Sequence, residues 1–214
     1  MVPRSRRAVA VAREEPPAVL WAIQPADQPT VRPSTDIDPA IPLRARSGEA
    51  RAFAELVEHF HARCTRYAQY MLGDDGDAEE AVQDTFIRVF DHLGQFRPDA
   101  RFEPWLFRIL ANRCRTMRAR RRRRESLVVT GEFPAVASVA APEIGEDWME
   151  EVEEALSALP TEQREAFLLR HVEDLSYEDM SVITGVRLSA LRMRVKRACD
   201  TLRVRLQGER QRGR

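Results

Sequence analysis

The stretch 175–206 carries two helical patterns separated by a single turn, and it constrains the fold more than any other part of the chain. Ser176 followed by Asp179 is typical of a capping box at a helix start, and Gly185 marks the point where that helix must stop. After the turn, apolar residues recur at three- and four-residue steps, namely Leu188, Leu191, Val195, Ala198 and Leu202. Basic residues occupy the other face, namely Arg192, Arg194, Lys196, Arg197, Arg203 and Arg205. This layout predicts a helix-turn-helix whose second helix lies in a DNA major groove; the alternative interpretation is an amphipathic hairpin with a solvated basic face.

Helical periodicity also dominates the rest of the chain. Apolar stripes predict helices at about 47–72, 77–93, 104–124, 148–159 and 161–172. Asp77 with Glu80 is expected to form a capping box at the start of the second of these helices, which Gly94 ends. Because no segment shows strand alternation or an internal repeat, the predicted fold class is all-α, with two small helical domains at 47–124 and 148–207.

The net charge of zero hides a strong segregation of charge along the chain. The stretch 113–124 is rich in arginine, whereas 125–154 contains acidic residues and no basic one. Segregation on this scale favours a nucleic-acid partner. We therefore expect a flexible acidic linker at 125–147 between the two domains, a disordered proline-rich extension at 1–46, and a disordered tail at 208–214.

Several functional classes are disfavoured by what the sequence lacks. No apolar run is long enough to span a membrane and no signal peptide is visible, so we expect no membrane insertion and a cytoplasmic location. Three distant cysteines suggest neither a disulfide framework nor a zinc site. Because clustered Ser/His/Asp, metal-spaced ligands and a glycine-rich phosphate loop are missing, we expect no enzyme activity, no metal and no cofactor.

Two motifs in this order resemble the extracytoplasmic-function (ECF) sigma factors of bacterial RNA polymerase. The first is DAEEAVQDTFIRVFDHLGQF at 77–96, which continues to FEPWLFRILANRC at 102–114. The second is LPTEQREAFLLRHVEDLSYEDMSVITGV at 159–186. The resemblance covers 47–206 and implies a sigma factor that binds core RNA polymerase and directs promoter-specific initiation by reading −10 and −35 elements. The implied partners are core polymerase, through its largest-subunit coiled coil and its flap, promoter DNA and an anti-sigma factor.

The family resemblance implies that the second helix docks on the polymerase coiled coil. Its exposed face is expected to present Gln83, Asp84, Arg88 and Asp91. Asp84 is the strongest candidate because a carboxylate can accept a bidentate arginine from the partner. A plain solvated helix face is the alternative.

The third helix and the loop before it are similar to the part of the family that melts and reads the −10 element. Opening a duplex requires a pocket for a flipped base and cations along the released strand. The residues implied for this role are Asp99, Arg101 and Phe102 around the pocket, Arg108, Asn112, Arg113 and Arg115 facing the strand, and Arg120 and Arg121 on backbone phosphate. Trp105 is expected either to stack on a base or to belong to the core.

The second helix of the helix-turn-helix is expected to read the −35 element. The family motif implies contacts from Arg187, Ser189, Ala190, Arg192, Met193, Arg194, Lys196 and Arg197. The acidic linker is interpreted either as an inert tether or, by resemblance, as a segment that threads the polymerase channels. The alternative function is a stand-alone helix-turn-helix repressor or activator, which would leave the motif at 77–114 without a role.

Overall fold

The computed structural model describes residues 37–128 and 147–212, and these two stretches are entirely helical apart from short turns and loops. The all-α prediction is therefore confirmed for the described residues. The helices are α1 (Ala40–Arg46), α2 (Ala50–Leu72), α3 (Asp75–His92), α4 (Phe102–Val128), α5 (Asp147–Ser157), α6 (Thr161–Phe167), α7 (Tyr177–Thr184) and α8 (Leu188–Arg212). A 3₁₀ turn (Leu93–Gln95) follows α3, and α6 widens into a π-helical turn (Leu168–Val172).

Helix ends follow the capping chemistry of the sequence, with one difference. Ser176 Oγ accepts a hydrogen bond from the Asp179 amide at 3.0 Å, which confirms the predicted cap of α7. Gly185 closes α7 in the left-handed conformation with φ 71°. The cap of α3 is Asp74, whose Oδ1 accepts from the Asp77 amide at 2.8 Å, and not Asp77 as predicted. The helix begins earlier than predicted because Asp74, Asp75 and Asp77 can all serve as N-caps. Asp74, the first of them after the turn at Gly73, takes this role.

Helix α1 lies inside the range 1–46 that was predicted to be disordered. Pro39 is its N-cap and Pro42 lies in its first turn, where a missing amide hydrogen costs no intrahelical bond. Likewise, α4 and α8 extend beyond the predicted domain limits, to Val128 and Arg212. The remaining parts of the predicted extension, acidic linker and tail (1–36, 129–146 and 213–214) lie outside the described residues.

The first domain (α1–α4) packs around the long apolar stripe of α2. Leu56, Phe60, Tyr67 and Met71 of this stripe are essentially inaccessible to solvent. The rings of Tyr67 and Phe107 of α4 meet edge to face at 5.7 Å between centroids. These contacts fix α4 against α2 along its first half.

The second domain (α5–α8) is built around the helix-turn-helix. The predicted stripe of α8 is buried at Leu191, Val195, Ala198 and Leu202, where it meets Phe167 and Leu168 in one continuous core. Ser181 Oγ donates to the Val186 carbonyl oxygen at 2.8 Å and thereby ties α7 to the turn.

The two domains pack against each other instead of standing apart. Arg63 of α2 reaches Glu173, which follows the π-helical turn, with Nε 2.9 Å from Oε2. Arg101, in the loop before α4, reaches Asp179 of α7 with Nη1 2.5 Å from Oδ2. The buried cores of both domains therefore join into one cluster.

Candidate functional site

The outer face of α3 presents the residues that were predicted to meet a protein partner. Gln83, Arg88 and Asp91 are exposed and Asp84 is half-buried. Two large apolar side chains stand among them, Ile87 at 59% and Phe90 at 63% exposure. The three- and four-residue spacing of the apolar residues in α3 predicts a buried Phe90. Ile87 departs from that spacing, and its place between Gln83 and Arg88 on the polar side of the helix is itself a signal of a contact surface.

Asp84 is held from within the protein by Arg113 of α4. Nη2 of Arg113 lies 2.8 Å from Asp84 Oδ2 and 2.7 Å from Glu80 Oε1. Arg113 is 8% exposed, so the structure places it between α3 and α4 and not on the surface that was expected to face DNA. The cause is its position on α4, because it shares the buried face with Leu106, Leu110 and Met117.

The loop before α4 separates the predicted pocket residues into exposed and buried ones. Asp99 and Arg101 are exposed. Phe102 is 5% exposed, and its ring packs on Phe96 and Trp105 with centroids 5.5 Å and 5.6 Å away. Phe102 thus supports the loop from beneath, and half-buried Trp105 packs in the same aromatic cluster.

The outer face of α4 carries the cations expected to meet a single strand. Arg108 and Asn112 are exposed. Half-buried Arg115 donates to Asn112 Oδ1 at 2.6 Å, and its Nε lies 3.5 Å from Glu165 Oε1 in the second domain. The end of this helix presents an exposed row of arginines, namely Arg120, Arg121, Arg122, Arg123 and Arg124. Such a row is suited to contact backbone phosphate without reading sequence.

The basic face of α8 is open along most of its predicted length. The exposed residues are Arg187, Ser189, Ala190, Arg192, Met193, Lys196 and Arg197, and Arg194 is half-buried. The Arg192 guanidinium lies over the ring of Tyr177, 5.4 Å from its centroid. This cation–π contact, which sequence reasoning missed, orients Arg192 near the start of α8.

The described residues hold no group of three or more His, Cys, Asp or Glu side chains that could bind a metal ion. Cys64 and Cys114 are buried, and burial raises the pKa of Cys114 to about 12. A thiol with so high a pKa is a poor nucleophile at neutral pH. None of the helices in 37–128 and 147–212 is both long and apolar enough to cross a membrane.

Both domains match known family models. Residues 56–124 match Sigma-70 region 2 and residues 149–202 match Sigma-70, region 4. Among curated proteins, the chain is 33% identical to the ECF RNA polymerase sigma factor SigE of Mycolicibacterium smegmatis, over 85% of this chain and 69% of that protein. It is 31% identical to the RNA polymerase sigma factor CarQ of Myxococcus xanthus, over 75% of this chain and 92% of that protein.

Solved structures agree with this assignment. CnrH in complex with the cytosolic domain of CnrY is similar with a TM-score of 0.63 and 28% identity, over 81% of this chain and 99% of that chain. The sigma factor RpoE of Bartonella quintana in complex with the anti-sigma factor NepR is similar with a TM-score of 0.64 and 26% identity, over 74% of this chain and 98% of that chain. The order of the two regions, the basic faces of α4 and α8 and these relatives together show that the chain belongs to the ECF sigma factors.

Proposed function

We propose that the chain binds core RNA polymerase through the outer face of α3 and directs promoter-specific transcription initiation. The observation that carries this proposal is the pair of exposed apolar side chains, Ile87 and Phe90, beside the carboxylates of Asp84 and Asp91. A monomeric protein gains nothing by exposing apolar side chains and carboxylates together on one helix face, whereas a basic partner helix would bury the apolar side chains and pair with the carboxylates.

DNA contacts are assigned to the remaining basic faces. The loop at Asp99 and Arg101, with Arg108, Asn112 and Arg115 on α4, is proposed to hold the separated −10 strand, and the arginine row 120–124 its phosphates. The exposed face of α8 is proposed to read the −35 element in the major groove. The flap of the polymerase is the proposed contact of the second domain.

The structures of two relatives support the proposal that a protein partner regulates this chain. CnrH and the Bartonella quintana RpoE were solved with CnrY and with the anti-sigma factor NepR, respectively. We propose that an anti-sigma factor likewise binds this chain in the cytoplasm and that the acidic linker enters the polymerase channels. A stand-alone repressor is not favoured, because residues 56–124 match Sigma-70 region 2, in addition to the match of residues 149–202, which include most of the helix-turn-helix, to Sigma-70, region 4.

The α3 assignment is tested by measuring the affinity of the purified chain for core polymerase. Asp84→Arg places a cation where a basic partner is expected, and it should weaken binding by at least about 10-fold through like-charge repulsion. The helical content and the duplex DNA binding of the variant should be unchanged. Unaltered polymerase affinity would exclude α3 as the docking helix.

A further inference from the structure

Arg113 contacts the two acidic residues of α3 at once. Glu80 and Asp84 lie one helical turn apart, and the same Nη2 atom lies within 2.8 Å of a carboxylate oxygen of each. Two carboxylates at this spacing repel each other on an isolated helix. The guanidinium between them cancels that repulsion and draws both side chains toward α4.

The side chain of Arg113 is buried, whereas those of Asp84 and Glu80 are accessible to a partner. The Arg113 side chain is 8% exposed, whereas those of Asp84 and Glu80 are 37% and 61% exposed. Asp84 therefore pairs through Oδ2 inside the protein, while its side chain stays partly accessible to an external partner. It lies one turn before Ile87, at the edge of the exposed apolar patch of α3.

We infer that Arg113 is a positioning residue for polymerase docking, which it serves by holding Asp84 in the orientation that the polymerase meets. It is not a contact to the −10 strand. This inference rests on the proposed function of α3. It also gives a physical link between docking and strand binding, because Arg113 is the direct neighbour of Asn112 on α4.

A double-mutant cycle on core-polymerase affinity tests the inference, with the chain variants Arg113→Met, Asp84→Asn and both together. Each single change should weaken binding by about 10-fold. The double variant should be weaker than either single variant by no more than about 2-fold, because the second change removes an orientation that is already lost. Losses that multiply to about 100-fold would overturn the inference.

Two further variants guard against a general loss of structure. Arg113→Lys keeps a cation in reach of the carboxylates and should retain affinity within about 3-fold of the unmodified chain. If Arg113→Met fails to fold, the cycle is run with Arg113→Gln, which also removes the cation but keeps a hydrogen-bond donor for the carboxylates. Arg51→Met removes an 84%-exposed arginine that also pairs with a carboxylate, Glu55, and should change nothing.

The alternative role of Arg113 gives an opposite result. At saturating polymerase, holoenzyme with Arg113→Met should capture a single-stranded −10 oligonucleotide as well as the unmodified holoenzyme does. Loss of capture with unchanged polymerase affinity would show that Arg113 contacts the −10 strand. If Asp84→Asn alone leaves polymerase affinity intact, the docking proposal for α3 fails first, so the two failures are distinguishable.

A different set of contacts carries a second inference, about the arrangement of the two domains. The side chain of Glu173 is fully buried and lies 2.9 Å from Arg63 and 3.4 Å from Arg66 of the first domain. Arg101 and Arg115, both assigned to the −10 strand, reach Asp179 and Glu165 of the second domain. Cations that should meet DNA are thus bound to carboxylates of the same chain.

This arrangement is incompatible with simultaneous reading of both promoter elements. Positions −10 and −35 are separated by about 25 base pairs, or about 85 Å at about 3.4 Å per pair. Domains in direct contact cannot reach both. Residues 129–146 connect α4 to α5 and have a maximal reach of about 60 Å, so the covalent connection allows the two domains to come apart.

We further infer that the free chain rests in this closed arrangement, with Glu173 and Asp179 as a latch that withholds Arg101 from the strand. The combined variant Glu173→Ser with Asp179→Asn removes both carboxylates. In small-angle scattering of the full chain it should give a larger radius of gyration than the unmodified protein, and it should bind a single-stranded −10 oligonucleotide at least about 5-fold more tightly.

The control is Glu49→Ser, which breaks the exposed Arg44–Glu49 pair inside the first domain and should change neither quantity. Binding of a −35 duplex through α8 verifies that the latch variant is folded; if it is not, Asp179→Asn alone is used. Identical radii and identical strand affinities for the unmodified and the latch-free chains would overturn this second inference.

Discussion

Arg63 and Glu173 lie 110 positions apart in the sequence and join the two domains through a buried ion pair. Burial alone would lower the pKa of Arg63, but the carboxylates of Glu173 and Glu103 outweigh it and raise that pKa. Burial raises the pKa of Glu173 in spite of Arg63 and Arg66. The guanidinium therefore stays charged, and the carboxyl group is the member of the pair that titrates.

Removal of the cation should destabilise the fold. Arg63→Met leaves the carboxylates of Glu173 and Glu103 buried with less compensation, and we expect the free energy of unfolding to fall by about 3 kcal/mol in urea titrations at pH 7. The matched control is Arg97→Met, since the Arg97–Asp99 pair is 78% and 70% exposed. That control should change stability by less than about 0.5 kcal/mol. Equal effects of both changes would contradict the burial argument.

The stability that Glu165 contributes should decrease as the pH rises, which is the opposite of the usual behaviour of a carboxyl group. Burial raises the pKa of this carboxyl group, although Arg115 and Arg194 oppose the shift. A carboxyl with a raised pKa contributes stability that is complete below its unfolded-state pKa and is lost as the pH rises through the folded-state pKa. Glu165→Gln cannot ionise, so its stability relative to the unmodified chain should increase between pH 4 and pH 8. A relative stability that is flat or falls over this range would contradict the assignment.

A separate prediction concerns Phe90 on the proposed docking face of α3. Phe90→Asp should reduce core-polymerase affinity by at least about 10-fold, because it removes a side chain with about 1.5–3 kcal/mol of burial energy and adds a charge. The side chain is 63% exposed in the free protein and its ring meets Phe53 of α2 edge to face at 5.2 Å, so the midpoint of thermal unfolding should fall only slightly. Phe90→Leu preserves the apolar surface and should retain most of the affinity. An equal loss for both variants would show that shape alone, not apolar burial, determines binding.

Tyr177 should affect the affinity for the −35 duplex indirectly, through its contact with Arg192, without contacting DNA itself. Its ring lies under the guanidinium groups of Arg192 and Arg170, at 5.4 Å and 5.5 Å from its centroid. Tyr177→Ala removes a contact of about 0.5–1 kcal/mol and should weaken −35 duplex binding by about 2- to 5-fold. Tyr177→Phe keeps the ring face and should bind normally. Fluorescence anisotropy of a labelled duplex measures both; weakening by Tyr177→Phe would point to the hydroxyl instead.

How far the sequence alone predicts this structure depends on the range of the interaction. The cap of α7 at Ser176 and the left-handed Gly185 are local, and spacing predicts them. The family resemblance implied that Phe102 frames a pocket and that Arg113 faces the strand, but spacing along α4 does not show which of its faces a second helix covers. Helix α1 was missed because prolines also suit the first turn of a helix.

The association of the two domains lies beyond sequence patterns altogether. The association depends on the contact between Arg63 and Glu173, which lie 110 positions apart in the sequence. Helical periodicity carries no information about contacts between residues so far apart. The exposed Ile87 could have been found, because its position on the polar face of α3 departs from the apolar stripe.

Run-off transcription with purified core polymerase is the most direct test of the central claim. The chain should produce a discrete transcript from a cognate promoter, and replacing either the −10 or the −35 element should abolish it. Asp84→Arg should abolish the transcript while −35 duplex binding persists, because the proposed docking face on α3 and the proposed duplex-reading face on α8 lie in different domains. A transcript that persists with Asp84→Arg, or no transcript from any promoter in a genomic library, would contradict the account.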